Sequence, residues 1–185
     1  ALNNRGMLHL RLKQHREAVA DFSHAITHDE NNPKHYQNRM SAYAALGMAD
    51  NAQADQSRIE WLLKLGQINN IVAQAPQRPE GYIQRASHLA EAGKHEVALV
   101  NYEQAIKVAS DKASPWTSRA KYWLQRGDFT KAIADSTKAV ETEFSHPALS
   151  IRGDAYLQQG DYDKAIADFT AAKRLDPGVA QAYYQ

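Results

Sequence analysis

Bulky and small side chains recur along this chain with a period close to 34 residues. The clearest mark of the period is an alanine that returns at intervals of 34, 46, 34 and 33 residues, at Ala18, Ala52, Ala98, Ala132 and Ala165. Within each unit, bulky residues stand seven apart on one segment and small residues stand seven apart on the next. Seven residues make two helical turns, so each unit predicts two helices that pack bulky against small. A period of this length is typical of stacked helical hairpins.

Each unit fits a frame of 34 positions with that alanine at position 20. The units are residues 1–32, 33–66, 79–112, 113–145 and 146–179, and a further unit starts at 180–185. Position 4 is mostly bulky, with Leu2, Tyr36, Tyr82, Trp116, Leu149 and Tyr183, and so is position 11, with His9, Tyr43, Leu89, Trp123 and Tyr156. Position 24 holds Phe22, Gln56, Tyr102, Ser136 and Phe169, and position 27 holds Ala25, Ile59, Ala105, Ala139 and Ala172. We expect the small positions of each second helix to let the two helices of a unit approach closely.

Glycine and proline mark the ends of these helices. Position 15 is Gly47, Gly93, Gly127 and Gly160 in four units, where a left-handed residue can end a helix, and Lys13 in the first. Asn32–Pro33 and Ser114–Pro115 each read as an N-cap followed by proline at the first helical position. The pattern predicts helices near residues 2–12, 15–29, 33–46, 49–64, 79–92, 95–109, 115–126, 129–142, 147–159, 162–175 and 179–185.

The second unit departs from the pattern. It has Gln56 and Ile59 where an aromatic and a small residue are expected, and an insertion at residues 67–78 follows it. Apolar residues keep a helical spacing through Gly66, so residues 67–78 form an inserted helical segment. Either the second helix of this unit continues toward Ala75, or a separate helix spans residues 68–75. In both cases we expect this joint to divide the array into units 1–2 and units 3–5.

The fifth unit carries the residues that identify a family, namely Gly153, Tyr156, Gly160, Tyr162, Ala165, Phe169, Ala172 and Pro177. With these residues the chain resembles the tetratricopeptide repeat (TPR) family over nearly all its length. The resemblance implies an all-α fold, a right-handed alpha–alpha superhelix or TPR solenoid. It also implies a concave face lined by the first helix of each pair.

Composition narrows the possible partners. There are 22 basic and 21 acidic residues and a formal net charge of +1, so the chain lacks the basic footprint of a nucleic-acid binder. There is no cysteine for a disulfide or a cysteine metal site. No apolar run is long enough to predict a membrane span, and no secretory leader is visible. We expect a soluble protein, with a cytoplasmic location slightly favoured over a periplasmic or secreted one.

The concave face implied by the resemblance is mostly uncharged and polar. Its candidate peptide-binding residues are Asn4, Met7, Asn38, Ser41, Gln84, Ser87, Ser118, Lys121, Ile151 and Asp154. Side-chain amides at Asn4, Asn38 and Gln84 offer both a donor and an acceptor, which suits the backbone of an extended peptide. Similar TPR superhelices hold extended chains with an asparagine ladder at this position. The alternative is that these polar residues are simply solvated.

The carboxylate clamp that holds the C-terminal tail of heat-shock chaperones is a known TPR pocket. It requires lysine and asparagine in one unit, asparagine in the next and two basic residues in a third. Only Asn38 matches in units 1–3, and no residue matches in units 2–4 or 3–5. Glu80 stands where a basic residue is needed and would repel a carboxylate. We therefore predict that chaperone tails do not bind.

Two further groups of residues suggest chemistry. Position 7 is arginine in all five units, Arg5, Arg39, Arg85, Arg119 and Arg152. An anion-binding column is one interpretation, but we favour a structural role in which each stem covers apolar surface and each head reaches a carbonyl or acidic neighbour. Asp21, His24 and His28 share a helical face, yet no fourth ligand stands nearby, so we predict no metal site.

No nucleophile–base pair, phosphate-binding glycine loop or pair of catalytic carboxylates is evident. The sequence therefore predicts a non-catalytic interaction scaffold without a cofactor, which binds an extended peptide or a partner helix of unknown identity. Two alternatives remain. One is self-assembly into a homo-oligomer through uncapped ends, with Tyr183 and Tyr184 only partly covering the last unit. The other is an accessory arm of a larger enzyme.

Overall fold

The computed structural model describes residues 2–175, and side chains as far as residue 172. This part of the chain contains ten α-helices and no strand. The helices are α1 (Leu2–Arg11), α2 (His15–His28), α3 (Pro33–Ala45), α4 (Ala49–Gln74), α5 (Pro79–Glu91), α6 (His95–Val108), α7 (Ala113–Gln125), α8 (Phe129–Thr142), α9 (His146–Gln159) and α10 (Tyr162–Leu175). Each begins and ends within two residues of its prediction, apart from the end of α4. The predicted helix at 179–185, with Tyr183 and Tyr184, lies outside the described residues.

The described part of the chain divides into two compact units, with the boundary between residues 67 and 68. In the first unit, α2 packs on α1, and α3 packs on both of them. In the second, the hairpins α5–α6, α7–α8 and α9–α10 each pack internally, and α7 contacts both α5 and α9. The first helices of consecutive hairpins therefore form one face within this unit. We call this surface the first-helix face.

The helix α4 is one continuous element of 26 residues and contributes to both units. Of the two arrangements open for residues 67–78, the structure shows the long helix and no separate helix at 68–75. Its first part buries Ile59 and Leu62 in the first unit. Its last part buries Ile68 and Val72 in the second. One continuous helix thus carries the buried apolar residues on both sides of Gly66.

A small residue at position 8 of the first helix receives the ring at position 24 of the second. A Cβ atom on Gly6 would lie 2.7 Å from Cε1 of Phe22, and one on Gly153 would lie 2.7 Å from Cε1 of Phe169. Real Cβ atoms essentially never approach another heavy atom so closely. The absence of a Cβ atom at Gly6 and Gly153 therefore lets the two helices of each of these hairpins pack closely.

The other units use different pairs at the same positions. Ala86 and Tyr102 are buried together in one cluster. In the repeat at residues 33–66, Met40 and Gln56 occupy positions 8 and 24. The large apolar side chain therefore stands on the first helix of this repeat and not on the second. Gln56, which departs from the sequence pattern, is thus matched by Met40.

The period alanines are buried as expected, with one difference. Ala18, Ala98, Ala132 and Ala165 are at most 2% exposed. Ala52 is only partly buried and lines an open depression together with Met40, Ala44 and Ala49. All five residues at position 27 are buried, including the larger Ile59.

The turns inside the hairpins share one conformation. Gly47, Gly93, Gly127 and Gly160 have φ between 71° and 79°, as predicted for left-handed residues. Lys13 takes the equivalent place in the first hairpin with φ 58°, although a side chain disfavours this region. The turn geometry is therefore preserved where the glycine is missing.

The two predicted N-caps differ in outcome. Asn32 caps α3 as expected, because its side chain accepts a hydrogen bond from the backbone N–H of Lys34 and Pro33 follows it. The cap predicted at Ser114 is wrong, since α7 begins at Ala113 and Ser114 lies inside its first turn. Proline is tolerated in that turn because the first backbone N–H groups have no partner within the helix.

Aromatic residues at position 4 fasten the loops between hairpins. The hydroxyl of Tyr36 donates to the carbonyl of Glu30, and that of Tyr82 donates to the carbonyl of Pro76. The indole nitrogen of Trp116 donates to the carbonyl of Ser110 at 3.3 Å. Each contact spans six residues, so an aromatic side chain ties the incoming loop to the helix that follows it.

Candidate peptide-binding site

A half-open cavity of about 430 Å³ lies on the first-helix face of the second unit. Helix α5 contributes Ser87, Ala90 and Glu91, and α7 contributes Ser118, Lys121, Tyr122 and Gln125. The remaining walls come from His95 and Tyr102 of α6 and from Arg126, which caps α7. The cavity thus brings together three of the predicted binding residues, Ser87, Ser118 and Lys121.

Two tilted tyrosine rings line this cavity, and a tryptophan ring packs against one of them. The ring centroids of Tyr102 and Tyr122 are 5.5 Å apart, and Trp123 meets Tyr122 edge-on at 5.0 Å. Tyr102 and Tyr122 are buried in one cluster with Ala86. This packing gives the cavity a rigid base under a polar rim.

The polar groups of the cavity are only partly satisfied by the protein. The hydroxyl oxygens of Ser87 and Tyr102 lie 3.2 Å apart and share a hydrogen bond. Burial raises the pKa of Tyr102 above its usual value, so this phenol stays neutral. Ser118 donates to the carbonyl of Ser114 at 2.8 Å. The hydroxyl of Tyr122 makes no hydrogen bond within the described residues, which leaves it available to a ligand.

Charged groups stand at the rim of the cavity. Glu91, Lys121 and Arg126 are all exposed there. Nη1 of Arg126 lies 3.1 Å from Nε2 of His95, and the guanidinium must be the donor because it has no acceptor. The proton of a neutral His95 ring is then on Nδ1. The rim therefore offers two cations and one carboxylate to a bound chain.

The other predicted residues of the second unit lie on the same face but do not line the cavity. Gln84 is exposed, and Ile151 and Asp154 are half-buried on α9. Asp154 makes no ion pair or hydrogen bond with the residues that the structure describes. Burial raises the pKa of its carboxyl group above the usual value.

In the first unit, the predicted residues Asn4 and Met7 are exposed and lie on α1. Nδ2 of Asn38 donates to Oδ1 of Asn3 at 2.9 Å, so this amide bonds to the neighbouring column and not to Asn4. Ser41 donates to the carbonyl of Gln37 and lines the open depression beside Ala52. The Asn38 amide thus has one partner within the protein, and its predicted contact with a peptide stays a prediction.

The arginine column has the structural role that we favoured. Four of the five guanidinium groups make two hydrogen bonds each to the carboxylate sixteen residues later, in the pairs Arg5–Asp21, Arg39–Asp55, Arg119–Asp135 and Arg152–Asp168. All four aspartates are buried. The guanidinium of Arg5 holds the pKa of Asp21 below its usual value through these hydrogen bonds.

These pairs also bear on the suggested metal face. Both oxygens of Asp21 accept from Arg5, so this carboxylate is already occupied beside His24 and His28. Within the described residues, no group of three or more histidine, cysteine, aspartate or glutamate side chains could hold a metal ion. None of the helices described is both long and apolar enough to cross a membrane.

Sequence reasoning missed several residues of the cavity. Tyr122 stands at position 10, which holds a large residue in some repeats and a small one in others. His95 and Arg126 lie beside the turns that join the two helices of a hairpin. The aspartates at position 23 were also missed as partners, although the spacing of sixteen from each arginine is visible in four units. That spacing is a sequence signal sufficient to predict the ion pairs.

Three segments match family models that carry the description tetratricopeptide repeat. They are residues 1–32, 83–146 and 146–179. No curated protein matches the sequence significantly.

Solved structures share the fold at low sequence identity. A thermophilic TPR protein from Thermus thermophilus is 22% identical with a TM-score of 0.55, and the match covers 96% of this chain and 91% of that one. MamA from Desulfovibrio magneticus is 17% identical with a TM-score of 0.53, covering 94% and 92%. YrrB, described as a TPR protein with an unusual peptide-binding site, is 14% identical with a TM-score of 0.51, covering 99% and 89%.

Proposed function

Because the chain belongs to the tetratricopeptide repeat family, we propose that it holds an extended segment of a partner protein on its first-helix face, at the cavity between α5 and α7. The TPR fold suggests a protein–protein interaction scaffold, and proteins of this family are generally non-catalytic. A binding role for the individual residues is our inference from the cavity.

One observation carries the proposal. Ser87, Ser118 and Lys121 were selected from the sequence as binding residues, and all three line one cavity over buried aromatic rings. A rigid aromatic base with a polar rim is the usual composition of a site that accepts a side chain. We infer that this cavity is the anchor point of the bound segment.

The recognition chemistry follows from the lining groups. The unpartnered hydroxyl of Tyr122 and the side-chain amide of Gln125 can bond to the backbone of an extended chain. Lys121 and Arg126 favour an acidic residue of the partner on their side, while Glu91 favours a basic one. Gln84, Ile151 and Asp154 would extend the contact along the same face.

A peptide selection tests the proposal. A phage-displayed library of random twelve-residue peptides is panned on the wild-type protein, and selected peptides are measured by fluorescence anisotropy. Ala90→Trp fills the cavity from α5 and Lys121→Ala removes a rim charge. We expect Ala90→Trp to weaken binding about tenfold or more, which corresponds to about 1.4 kcal/mol. Lys121→Ala should weaken the binding of acidic peptides in particular.

The matched control is Lys107→Ala. Lys107 is an exposed lysine of α6 that does not line the cavity. This variant should bind the selected peptides like the wild type, and circular dichroism should show unchanged helix content in all three variants. Equal affinity in wild type and Ala90→Trp would refute the cavity as the anchor point.

The chaperone-tail and self-assembly hypotheses remain predictions. A titration with a peptide ending in a free carboxylate that binds in the micromolar range would show the first to be wrong. Light scattering coupled to size-exclusion chromatography checks the second, because a monomer at every concentration would exclude assembly through the ends.

A further inference from the structure

The third arginine of the column lacks the carboxylate that the other four have. In the four ion pairs, Nε and Nη2 of the arginine donate to the two oxygens of one buried aspartate at 2.6–2.9 Å. The corresponding residue sixteen positions after Arg85 is Asn101. The four Arg–Asp pairs therefore serve as references for the Arg85–Asn101 pair, in which the carboxylate is replaced by an amide.

The amide of Asn101 satisfies only part of this guanidinium. Nε of Arg85 donates to Oδ1 of Asn101 at 2.5 Å, and Nη1 lies 3.3 Å from Oδ1 of Asn69 on α4. Nδ2 of Asn101 is a donor, and it donates to the carbonyl of Val97 at 2.7 Å. Nη2 of Arg85, which meets a carboxylate oxygen in the four references, therefore has no acceptor among the described residues.

The charge of Arg85 is also uncompensated. No carboxylate of the described chain forms an ion pair with it, whereas each of the other four arginines has an aspartate at 2.6–2.7 Å. Its guanidinium lies 5.5 Å from the ring centroid of Tyr82, and the side chain is half-buried. A partly desolvated guanidinium with an open N–H group attracts an anion from outside.

We propose that Arg85 receives a carboxylate from an aspartate or glutamate of a partner protein. The planar fork of arginine fits a carboxylate, and in four places this chain uses it for that purpose. The near-neutral chain provides no broad positive field for a polyanion such as nucleic acid, so a single acidic side chain is the better occupant. Arg85 does not line the cavity between α5 and α7, so this site is separate from the one under Proposed function.

The matched variant is Asn101→Asp, which builds the internal partner found in the other four hairpins. It should fill the fork of Arg85 and so block an external carboxylate. The probe is a tetraglutamate peptide, acetylated at its N-terminus and amidated at its C-terminus, with tetraglutamine as the uncharged comparison. The readout is the set of arginine Nε–H signals in two-dimensional NMR at constant ionic strength.

We expect the Arg85 signal to shift with tetraglutamate until it saturates, and to remain unchanged with tetraglutamine. The signals of Arg39, Arg119 and Arg152 serve as internal controls, because their forks are already filled. In Asn101→Asp, the affinity for tetraglutamate should fall about tenfold or more. Its unfolding midpoint should also rise by about 2–4 °C, as expected for a chain of this size when one charge-assisted contact is gained.

Several results would overturn the proposal. One is an Arg85 signal that moves no more than the three controls, which would mean a solvated guanidinium only. Another is an equal response in Asn101→Asp, and a third is saturation by inorganic phosphate without any response to tetraglutamate. Should Asn101→Asp not fold, Arg85→Gln replaces it, followed through the backbone amides of Tyr82 and Asn101. Persistent shifts of those amides with tetraglutamate in Arg85→Gln would contradict the assignment.

Discussion

Gly6 and Gly153 each lie beneath a phenylalanine ring of the partner helix, at a distance that leaves no room for a methyl group. In these two hairpins, position 8 must be glycine because position 24 is phenylalanine. Ala86 accepts Tyr102, and Met40 accompanies the shorter Gln56. At the scale of single residues, the fold depends on these matched pairs more than on either position alone.

The Gly6→Ala variant tests this pairing. Its methyl group would meet the ring of Phe22, so we expect a loss of about 1–3 kcal/mol in the free energy of unfolding from overpacking. Phe22→Leu in the same chain should recover part of that loss, because the shorter side chain leaves space for the methyl group. Urea unfolding monitored by circular dichroism measures both, and an unchanged midpoint in Gly6→Ala would contradict the pairing.

Asp154 predicts a pH dependence. Its raised pKa means that burial disfavours the charged carboxylate in the folded state. The corresponding stability is fully present below the unfolded pKa, near 3.9, and is lost as pH rises through the folded pKa. We therefore expect Asp154→Asn to unfold at a higher temperature than the wild type at pH 7. The difference should vanish below about pH 4, and its persistence there would argue against a titration effect.

At the scale of elements, the hairpin turns require a left-handed residue, and Lys13 supplies it without being glycine. A side chain in this region costs about 1–2 kcal/mol, and replacing it by glycine removes this strain. Part of the gain is lost, because glycine gives up more conformational freedom when the chain folds. We expect Lys13→Gly to raise the free energy of unfolding by about 0.5–1 kcal/mol. A matched substitution, Lys34→Gly on the exposed face of α3, should lower it instead.

Alanine at residue 66 should stabilise the protein, whereas alanine at residue 6 should destabilise it, although Gly66 and Gly6 both lie in helices. A Cβ atom on Gly66 would meet no heavy atom within 4 Å, and α4 continues through this position. Alanine there should favour the helix by about 0.5–1 kcal/mol. Amide hydrogen exchange in the centre of α4 should slow in Gly66→Ala. Faster exchange would mean that glycine is needed at this point for a reason that the structure does not show.

At the scale of the whole molecule, an arginine at the same position of all five repeats could resemble a phosphate-binding pattern. Four of them are neutralised by buried aspartates, and the formal net charge is +1. Counterion release needs several free cations along one surface, and the column leaves one. We expect no measurable binding of a twenty-nucleotide oligothymidine at physiological salt in an anisotropy titration. Salt-dependent micromolar binding would show this prediction to be wrong.

Much of the architecture was predictable from periodicity because bulky and small positions repeat with the helical turn. This pattern placed Ala18, Ala98 and Ala132 in the core. It also put nine of the ten helices between residues 2 and 175 within two residues of their observed bounds. The full length of α4 was not predictable, since a helical spacing alone does not show whether Gly66 ends a helix.

The candidate site was less predictable. Ser87, Ser118, Lys121 and Tyr102 follow from the frame, but Tyr122 does not, because its position is large in some repeats and small in others. The partners of the arginines lie across a turn, so they meet only once the hairpin has closed. The spacing of sixteen residues that recurs in four repeats predicts these contacts once the two helices are known to form a hairpin.

The fit between Gly6 and Phe22 recurs between Gly153 and Phe169, and it governs which hairpin halves could be exchanged in a redesigned chain. Grafting the first helix of the last hairpin onto the second helix of the first would again set glycine beneath a phenylalanine. Grafting α3 there would press Met40 into the same ring. Helices should therefore be exchangeable between hairpins where the side-chain volumes at positions 8 and 24 are compatible. In a chimera with incompatible volumes, we expect the two helices not to pack as a hairpin.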